Sequence, residues 1–137
     1  MLFQKILSSR ALTSGSFSIS QRGFHATRSA RNHYLDADTT TFEKRALDKS
    51  NSKPVLVDFY ASWCQPCQVL TPLLKRVTGP ESNFDLMTIN VDDYPDIAGQ
   101  YKVAALPTIV AFKDGKVKNK FVGFRGQEDI DKFLDLL

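Results

Sequence analysis

The chain has 137 residues, 42% of them hydrophobic, which is one domain's worth with enough length to bury a core. Its formal net charge of +3 is unevenly placed: residues 1–35 carry Lys5, Arg10, Arg22, Arg28 and Arg31 and no acid, whereas residues 36–137 carry 13 basic against 15 acidic side chains. The excess of positive charge belongs to the first segment, so it is no sign of a nucleic-acid surface on the rest.

Residues 1–31 are rich in Arg and Ser, and Leu2, Phe3, Ile6 and Leu7 gather on one side of a helix, although Arg10 falls on that side too. This is the composition of a mitochondrial transit peptide, and it predicts a mitochondrial matrix location. No run approaches the ~20 apolar residues of a membrane span, and no apolar block with a small-residue cleavage site marks secretion. Arg22, Phe24 and Thr27 resemble a two-step processing pattern: a first cut after Gly23, then loss of Phe24 to Arg31, leaves Asn32 as the mature start. A single cut near Phe24 fits the same residues almost as well. The expected division is therefore a removed presequence, 1–31, and one folded domain, 32–137.

After a short extended piece, "HYLDA", Thr40 to Glu43 reads as a T-x-x-E capping box, predicting a helix through Phe42, Ala46 and Leu47. Val55 to Ala61 is a nearly continuous run of β-formers, the mark of a central strand covered on both faces, with Asp58 in its middle. From Cys64 the spacing of Val69, Leu70, Leu73, Leu74 and Val77 is helical, with a kink expected at Pro72. "FDLMTINV" predicts a second buried strand, "DIAGQYKV" a short helix, and residues 107–124 two strands joined by a turn at Asp114-Gly115. "QEDIDKFLDLL" closes the chain as an amphipathic helix with Ile130, Phe133, Leu134 and Leu137 inward. The order β-α-β-α-β-α-β-β-α predicts an α/β fold whose final hairpin adds an antiparallel edge.

No glycine-rich phosphate loop, internal repeat or heptad interrupts this pattern, which leaves Cys64 and Cys67 as the chemical constellation. A zinc site needs four ligands, and the chain offers one C-x-x-C pair plus His25 and His33, in or beside the removable segment. No metal is expected within one chain, while a metal or cluster shared between two chains stays open. Two inert buried thiols are the ordinary alternative. The pair, however, stands at a strand-to-helix junction, where unpaired N–H groups and the helix dipole favour a thiolate on Cys64. Cys64 is thus the candidate nucleophile, and Cys67, one turn deeper, is placed to attack the mixed disulfide that Cys64 forms. Pro66 lacks an N–H and suits the first helical turn.

"VLVDFYASWCQPC", "INVDDYPDIAGQYKVAALPT" and "KDGKVKNKFVG" together resemble the thioredoxin family, over about residues 33–137 and most closely its mitochondrial members. The resemblance implies the thioredoxin fold, a mixed five-stranded sheet flanked by four helices. It implies a monomer with no bound cofactor that reduces protein disulfides through a Cys64–Cys67 dithiol and is recharged by thioredoxin reductase and NADPH. Expected clients are disulfide-containing proteins such as matrix peroxiredoxins.

Carried onto this chain, the resemblance makes Asp58 the proton acceptor for Cys67, and burial in a central strand raises such a carboxyl toward neutral pH. It sets Trp63 beside the disulfide, makes Pro107 a cis-proline facing it, gives the backbone of Leu106 the client chain as an added strand, and makes Gly123 a flat rim. Gln65 and Pro66 lie between the cysteines on the same substrate-facing surface.

Gln65 replaces the usual glycine, Gln68 the usual basic residue after the second cysteine, and Thr88 a lysine that several bacterial members place near the buried acid. Two rival functions share the fold. A disulfide isomerase or oxidase typically carries histidine where Pro66 stands, and its high-potential pair is out of place in a reducing matrix. A non-catalytic scaffold subunit would leave the cysteines incidental.

Overall fold

The structure, a computed structural model, describes residues 33–137. Its elements are β1 (His33–Tyr34), α1 (Thr39–Arg45), β2 (Val55–Tyr60), α2 (Gln65–Val77), β3 (Asp85–Asn90), α3 (Pro95–Gln100), β4 (Thr108–Lys113), β5 (Lys116–Val122) and α4 (Gln127–Leu134). They form one five-stranded sheet in the order β1-β3-β2-β4-β5. β1, β3 and β2 run parallel, while β4 is antiparallel to both β2 and β5. The expected mixed sheet with four helices is present, whereas the presequence features fall outside the described residues.

Side chains of a strand alternate between faces, and in β2 both faces are covered. Val55, Val57 and Phe59 join Phe42 and Ala46 of the α1 segment and Ile97 and Ala98 of α3 in one core. Leu56 points the other way, into a second core with Leu70 and Leu74 of α2 and Ile130, Phe133 and Leu134 of α4. Asp58 shares the parity of Leu56, so the carboxyl is sent beneath α2.

Several predicted boundaries shift for local reasons. The first helix is capped by Asp38, whose Oδ1 accepts from the Thr41 N–H at 2.7 Å, rather than by Thr40, so the expected capping box is not used. The third ends at Gln100 because Lys102, at φ 55°, leaves the right-handed helical region. Val69 matched the apolar spacing of α2 but is 61% exposed, since Leu70 and Leu74 already define the face that meets the sheet.

The turn between β4 and β5 has Asp114 at φ 55° and Gly115 at φ 74°, the left-handed pair that a two-residue hairpin requires. A Cβ on Gly115 would lie 2.6 Å from the Leu47 carbonyl oxygen, so the turn packs directly on the segment after α1. Further along the hairpin the register shifts: Ala111 faces Asn119 but Phe112 faces Val117, leaving Lys118 as an extra residue in β5.

Candidate active site

The second helix begins where β2 ends, and Cys64 is its N-cap: extended at φ −83°, ψ 108°, its Sγ accepts from the Cys67 N–H at 3.3 Å. Pro66 sits in the first turn, where a missing N–H costs nothing. A disulfide joins Cys64 to Cys67 with Cα atoms 5.3 Å apart, and both residues are buried, Cys67 the deeper. Leu106 packs against the two cysteines together with Tyr60 and Val91. Gln65 and Pro66 are exposed.

Leu106-Pro107 is a cis peptide bond. The Pro107 carbonyl accepts from the Gly123 N–H at 2.8 Å, tying the end of the hairpin to the segment beside the disulfide. Gly123 itself is at φ 86° with open space where a side chain would stand. Trp63 is 67% exposed, and its Nε1–H donates to Asp92 Oδ2 at 3.0 Å.

Asp58 is fully buried. Its Oδ2 accepts from the Thr71 hydroxyl at 2.6 Å, while Oδ1 has no hydrogen-bond partner among the described residues. Burial pushes the Asp58 carboxyl up to about 6, against the opposing pull of the Thr71 hydrogen bond and the Lys75 ammonium. Thr71, which holds this carboxyl, also lines a cleft of ≈ 330 Å³ together with Cys67 and Lys75 from α2, Thr88 from β3, and Asp36 and Tyr60. There the Tyr60 hydroxyl donates to Asp36 Oδ1, and burial with that acidic neighbour keeps the phenol protonated, its pKa raised to about 12.

Sequence reasoning missed Thr71, Lys75 and Asp92. The first two carried a readable signal: with Cys67 they recur every four residues, one stripe of a helix. Nothing in the sequence pairs Asp92 with Trp63, 29 residues away. His33, weighed as a metal ligand, turns its Nε2 to Thr78 instead, 2.8 Å from the carbonyl oxygen. Among the described residues no group of His, Cys, Asp and Glu is placed to hold a metal, and no helix is long and apolar enough to cross a membrane.

A disulfide between residues three apart constrains little of the unfolded chain, so its worth is chemical rather than structural. At a helix start that favours the thiolate, on an α/β sheet, and with a buried carboxyl held by the next turn of the same helix, it defines a dithiol–disulfide oxidoreductase. A family model described as Thioredoxin matches residues 34–136, and the chain belongs to the thioredoxin family. It is 36% identical to "Thioredoxin, mitochondrial" of Rattus norvegicus over 117 residues, 85% of this chain and 69% of that protein. It is 39% identical to "Thioredoxin" of Staphylococcus epidermidis over 88 residues, 64% of this chain and 85% of that one. Among solved structures it is similar to the N21Q mutant thioredoxin from Halobacterium salinarum NRC-1, with a TM-score of 0.66 and 28% identity over 75% of this chain and 88% of that one.

Proposed function

We propose that this protein reduces the disulfides of other proteins in the mitochondrial matrix, after loss of residues 1–31, with electrons passed from NADPH by thioredoxin reductase. The observation that carries the chemistry is the Cys64–Cys67 pair at the N-cap of α2, with Thr71, one turn beyond Cys67, holding the buried Asp58 carboxyl, which is raised to about 6. The matrix location is supported by the acid-free, Arg- and Ser-rich N-terminus and by mitochondrial names among the relatives.

In the reduced protein, Cys64 as thiolate attacks a client disulfide, forming a mixed disulfide and releasing one client thiolate. The Cys67 thiol gives its proton to Asp58, and the resulting thiolate attacks Cys64 Sγ. The bond to the client breaks, its second sulfur leaves as thiolate and takes a proton, and the Cys64–Cys67 disulfide closes. Two electrons have moved to the client, and the reductase returns them. Leu106 and Pro107 present backbone to an extended client chain, while Trp63, Gln65, Pro66 and Gly123 form the surface around it.

Insulin reduction tests this reading. NADPH oxidation and insulin precipitation that require both this protein and thioredoxin reductase are the expected result. Activity as an oxidase of reduced proteins in glutathione buffer, with none in the coupled reduction, would overturn it. Import of the full chain into isolated mitochondria, with shortening to a product that starts at Asn32, tests the location and the boundary.

A further inference from the structure

We propose that Thr71 is the positioning residue for Asp58: its hydroxyl, donated across 2.6 Å from the helix that carries both cysteines, favours the ionised carboxylate and leaves Oδ1 as the oxygen that takes the Cys67 proton. This rests on the reading of Asp58 as proton acceptor.

Threonine in the middle of a helix is locally unfavourable, because its branched side chain loses rotamer freedom and its hydroxyl competes for the carbonyl one turn back. Here that hydroxyl leaves the helix for the sheet, which offsets the local cost. Cys67, Thr71 and Lys75 all line the same cleft, so one face of α2 supplies the proton donor, the hydrogen bond that holds its acceptor, and a cation that favours the ionised acceptor. A hydroxyl suits this place because it can keep donating to Oδ2 whether or not Oδ1 carries a proton, with the stronger bond to the charged form.

The strands on either side of β2 add no charge at this register. From β4 the register partner of Asp58 is Ile109, and from β3 it is Thr88, whose Oγ1 accepts from the Asp36 N–H at 2.8 Å. Neither titrates. Thr71 and Lys75 of α2 thus supply the hydrogen bond and the positive charge felt by the acid, and Asp36 and Tyr60 are the titratable groups that line the cleft with them.

Two measurements on the full chain test the proposal. In the oxidised protein, where the cysteines do not titrate, the carboxyl carbon of Asp58 is followed by NMR in wild type, Thr71→Val, Thr71→Ser and Lys75→Met. The Val variant is expected to raise the Asp58 midpoint by about one pH unit, the Ser variant to leave it near the wild-type value, and Lys75→Met to raise it less than Val. In single-turnover reactions of the reduced protein with a peptide disulfide, release of the second peptide thiol is then about five-fold slower in Thr71→Val at pH 6 and nearly equal at pH 8. An unmoved Asp58 midpoint in Thr71→Val, or a rate loss equal at both pH values, overturns the role of Thr71. Release of peptide thiol by wild type that ignores pH from 5 to 8 instead overturns Asp58 as acceptor, and the NMR titration still reads the Thr71 bond separately.

Discussion

Replacing Asp58 by Asn removes a charge from the sheet while keeping its shape, and the effect on stability can be worked out from the structure. The carboxyl titrates at about 6 in the folded protein against 3.8 for the unperturbed group. Because the folded value is the higher, the native state holds more protons than the unfolded chain between these limits. Wild type therefore loses stability as pH rises from about 4 through about 6 and levels off above. A difference of about two pH units corresponds to ~3 kcal/mol of destabilisation by Asp58 at neutral pH. Asn does not ionise, and Thr71 can still donate to its amide oxygen. Its NH₂ group, however, must sit where Oδ1 finds no partner, which costs ~1–2 kcal/mol. Asp58→Asn should thus be slightly less stable than wild type at pH 4 and ~1–2 kcal/mol more stable at pH 7. Urea unfolding of the oxidised proteins across this range measures it: with slopes of ~1–3 kcal/mol per molar, the midpoints should separate by about 1–3 M between pH 4 and pH 7. Parallel stability–pH curves would refute the reasoning, since they would mean that Asp58 is not held charged against its surroundings.

Cys67→Ser should accumulate covalent complexes with client proteins, visible on non-reducing gels, because Cys64 can attack but the bond cannot be resolved. Capture by Cys64→Ser instead would reverse the two roles. Gln65→Gly should move the redox potential, measured against a glutathione series, by less than about 30 mV, because an exposed neutral side chain at the helix start adds no charge to the thiolate. A shift of twice that size would show that Gln65 reaches the sulfur chemistry. Gly115→Ala should cost at least about 2 kcal/mol in urea unfolding, combining left-handed backbone strain with a contact onto the Leu47 carbonyl that backbone cannot yield. A loss under 0.5 kcal/mol would mean that the hairpin re-forms with another turn.

The sheet was legible because its central strands are continuous apolar runs, and the Asp114-Gly115 turn because few residues accept two positive φ angles in succession. Cys64 and Pro66 were legible for a similar reason: their chemistry depends on a helix start, a local feature. What sequence alone did not give are contacts made across the packing of α2 on the sheet. Thr71 lies 13 residues from Asp58 and enters the site through the pitch of a helix laid over a strand, which no local pattern fixes. The misplaced cap has the opposite origin. Thr40 and Glu43 matched a local pattern, but Asp38 two residues earlier offered a carboxylate to the same turn, and a charged acceptor there outcompetes a hydroxyl.

The two rims of the sheet bear on how such a protein survives its work. One rim is β1, only two residues long. The other is β5, which carries exposed Lys116, Lys118 and Lys120, with Lys118 displaced from the ladder by the shift in register. Short, charged or irregular borders are poor templates for another chain to pair with. A reductase meets opened, extended polypeptides, the partners most ready to add strands to an exposed border. With both borders blunted, an extended chain that reaches the disulfide finds no long ladder along either rim on which an aggregate could grow.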